Sequence, residues 1–421
     1  MTTAIYWFRN DLRLNDNLAF TKVCKAADFV LPIYIDNTTI AVDTPPSYPQ
    51  ISKSRRAFLY ESLQDLTNKL KGLGSNLLVF QDDYRQVFPI LREHLNTNIV
   101  YCEQIEALEE LDQVAWLNEA GFSIKSFWQS SMLDPRSLPF ELEDMPGVFT
   151  QFRLKVEKHK LKFASPLDTP LKISSLPPLS GTLKQSINLD APLCEKSFYG
   201  GESKGLAHIE QYFERRLVDK YKRTRNELIG IDYSSKFSPW LALGCCSPRT
   251  IAKRLAEYEH QFGSNEGTYW LWFELLWRDY FRFLSFKNEN IPSPHSYSSE
   301  VLRDELDRDF QSMKFKRWSA GCTGDSFVDA GIRELLSTGY LSNRMRQVVA
   351  SYWIYNLEGN WAAGAAWFCS QLLDYDVYSN QGNWQYIAGK GADHQGGRQF
   401  NIAKQTQDHD PEGIYRKIWS T

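Results

Sequence analysis

Short apolar runs alternate with longer amphipathic ones through the first 130 residues. Ala4–Phe8, Phe29–Ile35, Asn76–Phe80, Asn98–Cys102 and Phe122–Phe127 have the length of buried strands. Helical patterns lie between them. The clearest is Ser54–Lys71, where Phe58, Leu59, Leu63, Leu66 and Leu70 recur at helical spacing. Parallel neighbours need a crossover, so strands separated by helices of this length predict a doubly wound, Rossmann-like parallel sheet. The turn after Phe8 reads Arg-Asn-Asp-Leu-Arg. It carries no Gly-x-Gly-x-x-Gly, so a dinucleotide laid over a glycine turn has no support there.

From Ser203 onward the pattern changes to helical periodicity throughout. Leu206–Arg216, Pro248–Tyr258, Tyr269–Ser285, Phe327–Leu336, Asn343–Asn356 and Ala362–Leu373 read as helices. No strand alternation is visible there, so this half is predicted to be all-α. Residues 131–202 fit neither pattern. They hold eight of the 18 prolines (Pro135, Pro139, Pro146, Pro166, Pro170, Pro177, Pro178 and Pro192), and only Gly147–Lys160 looks helical. The expected layout is an α/β domain over 1–130, a connector over 131–202 and a helical domain over 203–421.

Composition refines this picture at two points. Aromatic residues make up 14% of the 421 residues, and ten of the 13 tryptophans lie between Trp240 and Trp419. The net charge of −3 hides an uneven layout, with 13 basic against 20 acidic residues in 1–150 and 35 against 31 beyond. Seven cysteines without a Cys-x-x-Cys argue for reduced thiols in a cell interior and against a zinc ribbon. No metal site is expected. The N-terminus has no signal-peptide pattern and no run of 18 apolar residues occurs, so a cytoplasmic protein without a membrane anchor is expected.

Several polar constellations interrupt the helical half. Within Tyr269–Phe286, Glu274 shares a helix face with Trp277 and Arg278. That face suits either a satisfied core ion pair or a pocket wall with a stacking indole. Asn343, Arg346 and Gln347 form a second polar face, and Asp374, Asp376, Asn380, Asn383 and Trp384 follow a helix. Each alone equally reads as capping or surface polarity. Arg215, Arg216, Lys220, Lys222, Arg223 and Arg225 crowd into eleven positions. A solvated face explains them, as does phosphate contact beside stacked bases. Ser234-Ser235-Lys236-Phe237-Ser238 then offers hydroxyls and amides suited to a phosphate.

Read in order, these segments resemble the photolyase/cryptochrome family, most closely its cryptochrome-DASH branch. The resemblance rests on Trp7–Arg13 (WFRNDLR), Gly200–Ser203 (GGES), Tyr221–Asn226 (YKRTRN) and Tyr233–Gly244 (YSSKFSPWLALG). It continues through Phe273–Phe281 (FELLWRDYF), Ser342–Gln347 (SNRMRQ) and Asp374–Tyr386 (DYDVYSNQGNWQY). It closes on Phe400-Asn401 and Asp410–Gly413.

The resemblance implies FAD in the helical domain. Tyr221, Ser234, Ser235, Lys236, Phe237, Ser238, Arg278, Asn343, Arg346, Asp374, Asp376 and Asn380 match its pocket positions. Asn380 would face the flavin N5, and Arg346 and Asp374 would pair beside the ring. It also implies light-driven splitting of cyclobutane pyrimidine dimers by an electron from reduced FAD, a lyase activity. Glu274 would bond the lesion, Trp277 and Tyr386 would pack it, Asn343 and Gln347 would sit at its rim, and Arg225 would meet phosphate. Trp384, Trp361 and Trp318 match a photoreduction relay running from the flavin toward the surface in that order. Glu109 lies in a stretch resembling the family's folate-binding segment. A 5,10-methenyltetrahydrofolate antenna is therefore the second expected cofactor, although Glu103, Glu106 and Glu110 nearby also read as a plain helix surface.

Two positions sharpen the expected substrate. Duplex-acting relatives carry Trp and Met where this chain has Tyr386 and Gln347. Base stacking on an aromatic is worth about 1–3 kcal/mol, so weaker stacking predicts a preference for lesions in single-stranded DNA. A 6–4 photolyase would need histidines at the substrate face, and none lies between His295 and His394. Thr323–Phe327 lacks a proline common in the family, Trp361 is followed by Ala362 instead of Arg, and Ala366 replaces a usual Glu. A monomer is expected. The competing functions are a blue-light receptor built on the same FAD and tryptophans, which a short tail after Trp419 disfavours, and non-catalytic nucleic-acid binding.

Overall fold

The computed structural model describes residues 1–36, 50–179, 198–287, 300–391 and 396–420. Pro192 of the connector, His295 and His394 lie outside these residues.

The first apolar runs form five parallel strands: β1 (Thr3–Phe8), β2 (Phe29–Ile35), β3 (Leu78–Phe80), β4 (Ile99–Glu103) and β5 (Ser123–Phe127). Their order is β3-β2-β1-β4-β5, with Ile5 opposite both Leu31 and Val100. Ala4 to Phe8 of the central β1 are all buried, which explains its unbroken apolar run. The edge strand β5, also marked by such a run, instead leaves Ser123, Lys125 and Ser126 exposed. The helix over Lys53–Gly72 starts at Ser52, whose hydroxyl accepts the Arg55 N–H at 3.2 Å. The doubly wound sheet expected from the pattern is present.

The helical half is helical as expected, with no strand among the described residues beyond β5. Its longest helix, Glu266–Lys287, carries the aromatic run. Asn343–Asn356 departs from the single helix expected. It is α-helical over Asn343–Ser351 and then widens into a π-helical turn over Tyr352–Asn356. The wider turn carries the fully buried Trp353 onto Gly359 and Gly364, where an added Cβ would collide with its ring. The helices Glu300–Gln311 and Ile402–His409 were not anticipated, because few apolar residues mark them.

The connector does not dangle between the halves. Its helix spans Phe149–Lys158, Ser175 pairs with Phe29 beside the sheet, and Asp16 exchanges two hydrogen bonds with Leu167. The two halves are then clamped by buried charge. Glu202 accepts the Leu14 and Asn15 amides at 3.0 and 2.9 Å and pairs with Lys69 at 2.9 Å. Asp16 receives the Arg249 guanidinium at 2.8 and 2.9 Å. Asp279 caps the Met132 and Leu133 amides. Gly244 has φ +64°, and a Cβ there would strike the Asn10 carbonyl, so the Trp7–Arg13 turn sits directly on the loop that follows Ser234–Ser238.

Candidate functional site

The helix Asn343–Ser351 begins at Ser342, which accepts the Met345 N–H, and it projects Asn343, Arg346 and Gln347 along one side. The helix Val377–Ile387 is capped by Asp376 and carries Asn380 and Trp384. Where these two helices face one another, Asn343, Arg346, Gln347, Asp374, Asp376, Asn380 and Trp384 line a cavity. A second, smaller space adjoins it at Asp376 and is walled by Arg13, Glu103, Arg278 and Arg282. Residues from three of the polar constellations thus converge on one crevice.

Buried ion pairs hold its walls. Arg346 reaches both oxygens of Asp374 at 3.0 and 2.8 Å and the Leu341 carbonyl at 2.7 Å. Arg282, which sequence reasoning passed over, pairs with Asp376. Burial alone would push the Asp376 carboxyl up, but Arg282 and Arg278 hold it below its ordinary value. Arg278 moves the other way. Burial, reinforced by Arg282, lowers its pKa to about 9, and its guanidinium is anchored on the Ser130 and Leu241 carbonyls. Asn380 donates to the Ala365 carbonyl at 3.0 Å, which fixes its amide in the cavity wall. Glu103 is the odd member. Burial raises its pKa to about 8, and neither carboxyl oxygen finds a hydrogen bond.

The Ser234–Ser238 loop reverses at Lys236, whose φ is +55°. Its ammonium is thereby turned away from the crevice, onto the Tyr233 and Tyr340 rings at 3.4 and 4.3 Å, and lines a separate cavity with Glu334. Burial lowers its pKa to about 7. Lys236 is therefore no side-chain ligand of the crevice; what its position contributes is the turn. The Ser235 carbonyl meets His208 at 2.8 Å, and Phe237 is buried against Tyr212. Tyr221 is buried, and burial, reinforced by the Glu274 charge, raises its pKa.

Glu274 and Arg225 are ion-paired and partly exposed. Arg225 was expected on phosphate, but here its guanidinium also stacks over Trp270 at 4.4 Å. Burial raises the Glu274 pKa, and Arg225 opposes the rise. Trp277 lies stacked on Phe149 at 3.7 Å, one face committed to the connector helix. Gln347 accepts from Arg344 at 3.1 Å, and Arg398 covers Tyr386 at 4.5 Å. Arg344 is half-buried, and its pKa is lowered by burial and then by Arg225 and Arg398. Three arginines distant in sequence therefore share one electrostatic neighbourhood at the Gln347 side of the cavity. Arg344 sat inside a quoted motif, but nothing in the sequence signalled that it would meet Arg398.

The tryptophans correct another expectation. Trp318 was placed at the surface end of a relay, yet it is fully buried and contacts Trp384 with centroids 6.5 Å apart. Its helix, Met313–Ser319, is driven inward by Phe315 and Trp318 together. Trp361, expected between these two, opens the helix Trp361–Gln371 at the margin of the cluster and shows no ring contact among the described residues. Glu109 sits in the acidic first turn of the helix Leu108–Glu119, outside both spaces of the crevice.

Comparison with known proteins agrees with this geometry. Residues 4–171 match the family described as DNA photolyase, and residues 270–420 match the FAD binding domain of DNA photolyase. Curated proteins called cryptochrome DASH from Gloeobacter violaceus and Synechocystis are 41% and 40% identical over 99% of the chain, covering 85% and 87% of their own lengths. The chain belongs to the photolyase/cryptochrome family. Among solved structures, a Synechocystis cryptochrome superposes with a TM-score of 0.85 at 38% identity, over 99% of this chain and 88% of that one. A class III photolyase from Agrobacterium tumefaciens follows at 0.80 and 25%, covering 100% and 86%. An archaeal photolyase from Sulfolobus tokodaii, solved with two FAD molecules, gives 0.76 and 27%, covering 99% and 90%.

The helical half of a photolyase/cryptochrome protein binds FAD, and the crevice fits that cofactor. Its donor set combines fixed guanidinium groups at Arg278 and Arg346 with amides at Asn343 and Asn380, and Trp384 closes the wall. Such a set suits a flat, hydrogen-bonding ring carrying a charged tail.

Proposed function

We propose that the protein is a light-driven DNA-repair enzyme that splits cyclobutane pyrimidine dimers, preferentially in single-stranded DNA. The observation that carries this reading is a charged cluster behind Gln347, one residue of the cofactor cavity's wall. Arg225, Arg344 and Arg398 gather there around Gln347, Glu274 and Tyr386. Clustered guanidinium groups disfavour one another, and a phosphate backbone between them relieves that repulsion.

Reduced FAD, excited by light, supplies the electron that starts ring opening. The chain's own residues position the lesion. Trp277, backed by Phe149, presents a rigid indole for the flipped base, so little ordering remains to be done on binding. Glu274, held by its ion pair with Arg225, hydrogen-bonds the pyrimidine ring of the lesion. Arg225 keeps that carboxyl in place. Tyr386 and Gln347 offer modest stacking, which supports a substrate already free of duplex pairing. A blue-light receptor would use the same FAD and the same buried tryptophans, but it has no need of a phosphate-matched rim. A folate antenna near Glu109 remains part of the proposal and depends on residues outside the crevice.

The test compares dimer repair on matched single- and double-stranded oligomers after chemical reduction of the flavin, read as recovered base absorbance. Single-strand repair exceeding duplex repair by about tenfold is expected, with Glu274→Gln lowering it several-fold. No repair on either strand form would sink the reading, and equal yields would remove the single-strand preference.

A further inference from the structure

Lys236 lines a pocket of about 220 Å³ that shares no lining residue with either space of the crevice. Phe198, Leu228, Ile229, Ile231, Ile418 and Trp419 give it an apolar wall. Ile229, Ile231 and Ile418 are about half exposed, so the apolar surface continues out to solvent. An apolar cavity of about 150 Å³ already holds a benzene ring, so this one has room for a substituted ring or a short alkyl chain.

Two polar groups interrupt the wall. Lys236 is only 5% exposed, and its amine makes no hydrogen bond or ion pair among the described residues. It rests on the faces of Tyr233 and Tyr340 at 3.4 and 4.3 Å. Ring faces replace only part of the water that a buried ammonium gives up. Burial, with Arg346 adding to it, therefore outweighs Glu334 and Asp374 and brings the Lys236 pKa down to about 7. Much of the amine is then neutral near pH 7, with a free lone pair. The second group is Glu334, 8% exposed, whose carboxylate accepts the Tyr415 hydroxyl. Burial raises its pKa to about 7, against the Tyr415 hydrogen bond, Lys236 and Arg346. No ion pair joins Lys236 to Glu334 among the described residues, which leaves both for a ligand in the pocket.

We infer that this pocket captures a small aldehyde with an apolar body as an imine on Lys236, with Glu334 as the acid and base of the step. The inference is independent of the repair reading. The Lys236 nitrogen attacks the carbonyl carbon, and one N–H proton passes to the carbonyl oxygen to give a carbinolamine. Glu334 protonates the departing hydroxyl and regains a proton from the nitrogen, so it ends unchanged. Both N–H protons of the neutral amine thus leave in one water molecule, and no oxidant or reductant takes part. An aldehyde suits the pair better than a carboxylate does, because an ionised Glu334 would repel a second anion.

Holoprotein is incubated in the dark with benzaldehyde and sodium cyanoborohydride, which reduces the imine to a stable secondary amine. Peptide mass analysis then locates the labelled lysines. At pH 7, Lys236 should be labelled at least about tenfold faster than Lys253, whose side chain is about half exposed. Equal labelling, or none at Lys236, would overturn the proposal. Glyoxylate, charged and without an apolar body, should label Lys236 at most about a tenth as fast as benzaldehyde, each measured against Lys253. A preference for glyoxylate would overturn the apolar aldehyde as ligand. Labelling of Lys236 should peak near pH 7, between deprotonation of the amine and ionisation of the carboxyl. Glu334→Gln should slow it several-fold and remove the alkaline decline. A wild-type profile that climbs steadily into the alkaline range, as for a surface lysine, would remove Glu334 from the step without any variant being needed. Labelling needs neither light nor DNA, so its failure leaves the repair reading standing, and absence of repair leaves the imine site standing.

Discussion

Two sides of one cavity are built on opposite physical rules. The Trp384 side is dry, with four tightly packed indoles and a glycine where they meet. The Gln347 side is wet and charged, with Arg225, Arg344 and Arg398 close enough to lower the Arg344 pKa. On the dry side, van der Waals contact couples neighbouring rings, and no counterion is needed. On the wet side, like charges are kept together by partial solvent exposure and by Glu274. The difference teaches how one cavity can carry two environments: apolar ring contact on one side, and partly exposed guanidinium groups on the other.

The largest expected effect comes from breaking the hinge between the two sides. Arg346→Leu leaves Asp374 buried and unpaired, which should cost about 3–5 kcal/mol and release most of the FAD. Thermal unfolding and the flavin-to-protein ratio read this. A variant that keeps full FAD and wild-type stability would show that the pair does not organise the cavity.

A smaller effect is expected at the wet rim alone. Arg344→Gln should weaken single-stranded DNA binding and lower the slope of log affinity against log salt by about 0.7, the value for one phosphate on a single strand. Photoreduction should be untouched, which would separate the two sides functionally. An unchanged salt slope would remove Arg344 from the DNA surface.

The mildest change is a pH dependence at Glu103, where neither rule is obeyed. Its folded pKa of about 8 lies above the ordinary carboxyl value because of burial. Between those two values the folded state holds the proton more tightly than the unfolded chain, so ionisation removes stability progressively as pH rises toward 8. Glu103→Gln cannot ionise and should therefore unfold a few degrees higher than the wild type above pH 8, with the gap narrowing toward pH 5. Melting curves at the two pH values measure this, and a gap that widens at low pH would contradict the sign.

Much of this was legible in the chain. β1, β2 and β4 announced themselves as unbroken apolar runs because burial on both faces leaves no room for polar alternation. The runs over β3 and β5 were named as well, although β3 is only three residues long and β5 leaves Ser123, Lys125 and Ser126 exposed. At the site, Asn343, Arg346, Asp374, Asp376, Asn380 and Trp384 could be named from their motifs, and they do share one cavity. Arg282, Arg344 and Arg398 could not, since their partners lie on other elements. The Ser234–Ser238 hydroxyls and amides could be named too, but not that a positive φ at Lys236 lays its side chain onto two tyrosines.

Sequence alone determined the two-part architecture, the family and its FAD, because periodicity and ordered motifs are local properties of the chain. Tertiary structure decided which tryptophans touch. Trp318 and Trp361 are both aromatic residues on helices, and nothing in their spacing distinguishes a hub from a margin. Only the packing of the helix Met313–Ser319 against Trp353, Trp367 and Trp384 buries one and leaves the other at the edge. Periodicity fixes which face of a helix is apolar, but which helices that face meets depends on contacts hundreds of ångströms of extended chain apart.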